Sequence, residues 1–188
     1  MIKPMLAHKF NIKRVDYSKP VYIQPKLDGV RCLFTKDGAF SRTGKQFKNL
    51  SHIELELIPF FKDNPNIILD GELYNHELKH DFEKIISLVR KQKPTADDRL
   101  DARNLIQYHV YDFISNDKAN YRDRMHELAC SDVYSDYIKY VPAYRVYKHE
   151  EALNMHHDAY LAKGYEGSIL RLDGPYKHGR SYDLMKFK

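Results

Sequence analysis

The stretch NIILDGELY, residues 66–74, opens on a short apolar run and then sets two carboxylates, Asp70 and Glu72, around a glycine. A run so short and so apolar has neither the alternation of a half-exposed strand nor the length of a helix. It has the pattern of a strand covered on both faces. Such a strand needs paired neighbours in its sheet and a packed layer on either side. Other segments supply candidates for both. Residues 21–24 and VRCLFTK (30–36) read as strands, and Asp37-Gly38 predicts a hairpin turn into AFSRT. NLIQYHVYDFI (104–114), EGSILRL (166–172) and DLMKFK (183–188) read as further strands.

Helical signals alternate with these. LSHIELELIPFF (50–61) predicts a helix with Ser51 as its N-cap. In DFEKIISLVRKQ (81–92), Phe82, Ile85, Ile86 and Val89 recur at helical spacing, and a basic last turn suits a helix C-terminus. Residues 121–130 read as helix. HEEALNMHHDAYLAKG (149–164) reads as another, with Glu150 and Glu151 in its first turn and Lys163-Gly164 at its end. KPTADDRLDARN (93–104) is the most polar stretch and reads as a loop too short to divide the chain. The predicted class is α+β in one domain, as 188 residues allow.

Charge narrows the partners only a little. Lys+Arg outnumber Asp+Glu by 31 to 26, and a pI near 9.0 suits a polyanion without separating nucleic acid from a merely basic surface. Cys32 and Cys130 lie far apart with no CxxC, so neither a zinc knuckle nor a disulfide framework is indicated. The N-terminus MIKPMLAHKF lacks the apolar core of a signal peptide, and no run is long enough to span a membrane. A reducing, cytoplasmic location is expected, with no membrane partner.

KLDGVR, residues 26–31, puts Lys26 at the end of a strand-like run, where a cation is costly to desolvate. A neutral lysine amine attacks electrophiles and holds them covalently, dividing one hard reaction into two easier ones. If the electrophile is a phosphoryl group, the site needs cations around the phosphate, carboxylates for metal and a flat apolar surface for a base. Strand ends elsewhere carry those parts: Glu72 in LDGEL, Tyr111 in YHVYDF, Glu166 and Arg171 in YEGSILR, Lys186 and Lys188 in LMKFK. Residues two apart on a strand share a face, so the last two lysines can reach one phosphate. Taken singly, each also fits a solvated strand end, a core tyrosine or a terminal lysine pair.

Two motifs point elsewhere. HELKH (76–80) matches H-E-x-x-H, which in a zinc hydrolase sets two histidines on one helical face with the glutamate as base. Here Asn75 precedes it, apolar periodicity begins only at Phe82, and no third ligand is evident. Polar residues at a helix start describe it better. GAFSRTGKQ approximates a phosphate loop, but five residues separate Gly38 from Gly44, and Gln46 stands where a hydroxyl should bind magnesium.

In this order, the strand-end elements resemble the adenylation domain of ATP-dependent DNA ligases, within the covalent nucleotidyltransferases. The likeness runs from about Pro4 to the last residue. K-x-D-G-x-R is met by Lys26, Asp28, Gly29 and Arg31, and S-R-x-G by SRTG at 41–44. LDGEL is the acidic strand, VYDF the aromatic-Asp strand, EGSILR the E-G-x-x-x-R element and KFK the K-x-K element. The implied fold is α+β, with antiparallel sheets and helices around a nucleotide cleft, as in ligases, mRNA-capping enzymes and ATP-grasp-like proteins.

The resemblance also implies roles. Lys26 would attack the α-phosphate of ATP to give a lysyl–AMP, with Asp28 in the same catalytic element. Arg31 and Glu72 would hold the ribose, Tyr111 would stack on adenine, and the backbone around Gln24 would read the base edge. Glu166, with Glu72 as a second candidate, would bind Mg²⁺ or Mn²⁺, while Lys186 and Lys188 neutralise the α-phosphate. Arg42 would hold the 5′-phosphate of nicked double-stranded DNA. Ligases of this family continue into an oligonucleotide-binding barrel, whereas this sequence stops at K-x-K. It is therefore expected to be a monomeric adenylation domain, slow without the barrel, and a viral source is compatible. Capping guanylyltransferases and RNA ligases are the alternatives within the superfamily, and a zinc hydrolase through HELKH is the remote one. A catalytically dead DNA-binding module would have no reason to keep Lys26, Glu72, Glu166 and Lys186 together.

Overall fold

A computed structural model describes residues 2–116, 118–147 and 150–188. Among the described residues, ten strands form two five-stranded sheets. In the first, β1 (Leu6–Lys9), β10 (Arg180–Phe187), β9 (Gly167–Leu172), β2 (Val21–Lys26) and β8 (Tyr144–Val146) lie in that order. In the second the order is β4 (Gly38–Phe40), β3 (Val30–Thr35), β5 (Ile68–Tyr74), β6 (Gln107–Ile114) and β7 (Ile138–Tyr140). Pairing is antiparallel, as expected, except for β1 with β10 and β6 with β7, which are parallel.

The apolar run of NIILDGELY lies in β5, in the middle of the second sheet between β3 and β6. Leu69 and Leu73 are fully buried. Four helices complete that core: α1 (Ser51–Asp63) through Ile53 and Leu57, α2 (Phe82–Val89) through Ile85 and Val89, α3 (Ala96–Leu105) through Ala102, and α4 (Tyr121–Cys130) through Leu128. The first sheet packs Val21, Ile23, Leu170 and Met185 against Leu153 and Tyr160 of α5 (Glu150–Ala162). A small third cluster, Met5, Ile114, Tyr176 and Leu184, joins elements of both sheets.

Several local expectations change. The polar segment 93–104 holds α3, not a loop. Thr95 and Asp98 form a reciprocal capping box, the Asp98 N–H donating to Thr95 Oγ1 at 3.1 Å and the Thr95 N–H to Asp98 Oδ2 at 2.9 Å. With Ala102 as its one buried residue, α3 has almost no apolar stripe for periodicity to detect. Ser51 is the first helical residue of α1, and Leu50 occupies the cap position without a side-chain bond. The helix α2 stops at Val89, so Arg90 lies past its last turn. His149, where the last helix was expected to begin, lies outside the described residues. HELKH forms a short 3₁₀ turn over His76–Leu78, capped by Asn75, and α2 begins only at Phe82. The two histidines therefore never share an α-helical face.

Candidate active site

The strand β2 ends at Lys26, and the chain crosses to β3 through Leu27-Asp28-Gly29. That crossing shows why K-x-D-G needs its glycine. A Cβ at Gly29 would sit 2.3 Å from the Leu73 carbonyl oxygen on β5. The E-G element has a matching constraint. Gly167 has φ +150°, and a Cβ there would lie 2.2 Å from the Phe187 carbonyl oxygen. Close approach at Gly167 pairs β9 with both β2 and β10, so Lys26 aligns with Gly167 and Lys186 with Ile169.

A cavity of about 260 Å³ opens between the sheets. Gln24, Lys26, Arg31, Arg42, Glu72, Tyr111 and Lys186, all named from the sequence, line it. Glu166 and Lys188 join through charge: one Glu166 carboxylate oxygen accepts from Lys26 Nζ and the other from Lys188 Nζ. Burial pulls the Glu166 pKa upward, but the hydrogen bonds from Lys188 and Lys26 outweigh it and hold the carboxyl below its usual range. Asp28 is exposed and does not line the cavity, so the structure does not bring it to the other site residues.

Tyr111 reaches the cavity through an irregularity of pairing. Asp70 pairs with Asp112 and Gly71 with Val110, which leaves Tyr111 as the extra residue of a bulge on β6. Gly71 permits it, since a Cβ there would meet the His109 carbonyl oxygen at 2.4 Å. The Tyr111 phenol donates to Glu72 Oε2 at 2.9 Å. Burial dominates the titration of Glu72. Arg31, the Tyr111 bond and Lys26 oppose it, yet the pKa is pushed up to about 7.

Buried ion pairs, which the sequence reading did not assign, hold these walls. Arg31 forks onto Asp70 with two 2.6 Å bonds, and the Tyr176 hydroxyl donates to Asp70 at 2.7 Å. Asp112, fully buried, accepts from Arg124 Nε at 2.7 Å and from Arg171 Nη1 at 2.7 Å. Arg171 also donates through Nε to Gln24 Oε1 at 2.7 Å, while Gln24 Nε2 donates to the Val141 carbonyl at 3.1 Å. The arginine at the end of E-G-x-x-x-R thus fixes the amide of Gln24 at the cavity wall. Arg180 also lines the cavity. No local sequence signal marks it, since it arrives through the pairing of β10 with β1. A second depression of about 570 Å³ shares Arg31, Arg42 and Glu72 with the first and adds Lys45 and Arg90.

An aromatic ring, a carboxylate near neutrality and converging cations suit a nucleoside triphosphate. Among the described residues, no three His, Cys, Asp or Glu side chains cluster as a metal cage. Glu166 and Glu72 are hard oxygen donors of the kind that hold Mg²⁺ jointly with substrate phosphates.

A family model described as "ATP dependent DNA ligase domain" matches residues 4–188. No curated protein matches the sequence. Among solved structures, the chain is similar to the Chlorella virus DNA ligase–adenylate, with 26% identity and a TM-score of 0.75, covering 100% of this chain and 67% of that one. It also resembles the bacteriophage T7 ATP-dependent DNA ligase in complex with ATP (19% identity, TM-score 0.77, 99% and 68% covered). A Lig E DNA ligase structure, described as DNA binding with a minimal scaffold, aligns at 19% identity and TM-score 0.78, covering 100% and 69%.

Proposed function

As the chain belongs to the ATP-dependent DNA ligase domain family, we propose that Lys26 is the residue its ATP reaction modifies and that nicked double-stranded DNA is the acceptor. The observation that carries this reading is the convergence of Lys26, Glu166 and Lys188, with Lys186 lining the same cavity.

In the first step the Lys26 amine, after losing a proton, attacks the α-phosphorus of ATP. A P–N bond forms, the bond to the bridging oxygen breaks, and pyrophosphate leaves with the electron pair. Lys186 and Lys188 lower the charge on the α-phosphate. Tyr111 offers its ring to the adenine, Gln24 borders the base, and Glu72 with Arg31 holds the ribose. Glu166 would hold Mg²⁺ or Mn²⁺, and such an ion would neutralise phosphate charge. In the second step a 5′-phosphate oxygen, held by Arg42, which lines both the cavity and the neighbouring depression, attacks the same phosphorus and Lys26 departs. The 3′-hydroxyl then attacks the 5′-phosphate, and AMP leaves. The chain spans about two thirds of the ligase structures compared above. Complete sealing is accordingly proposed to require further protein, such as an oligonucleotide-binding barrel.

Incubation with α-labelled ATP or GTP and Mg²⁺, followed by denaturing electrophoresis, tests the reading. Label from ATP is expected to stay on the protein through an acid-labile bond and to be absent in Lys26→Ala. Label retained in Lys26→Ala would remove Lys26 as nucleophile, and preferential GTP labelling would favour a capping reaction.

A further inference from the structure

HELKH does not place its two histidines on one α-helical face, yet the first of them, His76, is held by neighbours on both of its ring nitrogens. The helix α5 ends in a Schellman motif: Gly164 has φ +85° and donates to the Leu161 carbonyl at 2.9 Å, and Tyr165 donates to the Tyr160 carbonyl at 3.1 Å. The carbonyl of Lys163, one of the helix's orphan acceptors, is reached by His76 Nε2 at 2.9 Å. A carbonyl only accepts, so Nε2 carries the proton. His76 Nδ1 lies 2.7 Å from the hydroxyl of Tyr74, the last residue of β5. The imidazole also packs on the Tyr165 ring, with centroids 4.4 Å apart.

Tyr165 is the one partly buried apolar side chain that packs against both main cores, among the described residues. The next residue is Glu166, whose N–H donates to the Lys26 carbonyl at 3.2 Å. Asn75 braces the other end: its Oδ1 accepts from the Glu77 N–H, and its Nδ2 donates to the Leu105 carbonyl, each at 3.0 Å. A continuous path therefore runs from β5, which carries Glu72, through Tyr74 and His76 to the turn that carries Glu166. His80 is exposed and outside that path.

We propose that His76 is a positioning residue, a latch between the two sheets that holds the Lys163–Tyr165 turn and so places Glu166 against Lys26. The inference rests on the adenylation reading of the same site. It assigns HELKH a use that its resemblance to a zinc motif hides.

Single-turnover adenylation with α-labelled ATP tests it in wild type, His76→Ala, His76→Gln and His80→Ala. His76→Ala is expected to slow the rate constant roughly 10-fold, as loss of a supporting partner commonly does. The labelled fraction should hold, and the ATP concentration for half-maximal rate should stay within about twofold. His76→Gln, whose amide can still donate to the Lys163 carbonyl, should recover most of the rate, and His80→Ala should match wild type. Hydrogen exchange at the Tyr165 and Glu166 amides, read without ATP, should quicken in His76→Ala. A wild-type rate constant in His76→Ala, or lost labelled fraction and melting temperature alone, would reduce His76 to a fold-supporting group and overturn the latch. Unchanged exchange would do the same. Wild-type protein that takes no label would refute the adenylation reading instead, and the exchange measurement would still decide the latch.

Discussion

The hydroxyl of Tyr111 donates to Glu72 Oε2 at 2.9 Å, so the ring expected to stack on the base also tunes the carboxylate expected to hold the ribose. Burial raises the Glu72 pKa to about 7, against the pull of Arg31, Tyr111 and Lys26. A carboxyl raised in the folded state favours folding while protonated, and that contribution is lost as pH rises from 4.5 through about 7. Ionised Glu72 is the better acceptor for ribose hydroxyls. ATP affinity is therefore expected to rise by at most about tenfold between pH 6 and pH 8, and Glu72→Gln should flatten that rise. Tyr111→Phe removes a bond that favours the ionised form, so the midpoint should move upward. Titration of ATP binding against pH in the three proteins checks this, and an unmoved midpoint in Tyr111→Phe would dismiss the coupling.

Tyr111→Ala separates stacking from packing. A base–aromatic contact is worth on the order of 1–3 kcal/mol, which corresponds to roughly a 5- to 150-fold loss of ATP affinity. Arg31 and Arg171 also lie near the ring, 5.1 and 5.4 Å from its centroid, so some stability should go as well. ATP affinity and melting temperature measured on the same variant decide between the roles. A lower melting temperature with unchanged affinity would make Tyr111 a wall of the core only.

Lys26→Arg should be as inactive as Lys26→Ala in self-adenylation. A guanidinium stays protonated and cannot attack phosphorus, though it still pairs with Glu166. Retained melting temperature with no label is the expected result, and label on the arginine variant would mean that another residue is the nucleophile.

The parts of the site that were legible in the sequence are those written in short range. Lys26 closes a strand-like run, Glu72 follows an apolar run, and Lys186 and Lys188 stand two residues apart in a strand-like segment. What escaped depends on pairing between distant segments. The bulge that turns Tyr111 into the cavity exists only in the register of β6 against β5. The pairing of Asp70 and Asp112 has no local signal, because the arginines that justify their burial come from other elements of the fold. Asp28 differs from the others: membership of a motif suggests a catalytic place, while the side chain is exposed and is not among the residues that line the cavity. The helix α3 was missed because its evidence is a cap, Thr95 with Asp98, on a segment whose charge conceals it.

Asp112 offers the sharpest test of the walls behind the site. Its carboxylate is fully buried between Arg124 and Arg171, themselves 1% and 4% exposed. Burial raises its pKa, but Arg171 and Arg124 outweigh that and hold it below 3.8. Asp112→Asn keeps the shape and removes the charge, leaving two buried guanidinium groups without their counter-ion. Breaking such a pair costs about 3–5 kcal/mol. For a chain of this size that lowers the melting temperature by roughly 6–20 °C. A depressed carboxylate contributes stability above its unfolded pKa and loses it as pH falls through the folded value. The gap between wild type and Asp112→Asn should accordingly be constant above about pH 4 and narrow in acid. Since Arg171 also holds the Gln24 amide, ATP affinity should fall in the variant even at temperatures where it is folded. Thermal unfolding across pH, with ATP binding measured well below the transition, reads both effects. A variant that melts with wild type would show that the arginines find other partners, and one that melts lower but binds ATP normally would sever the network from the base site.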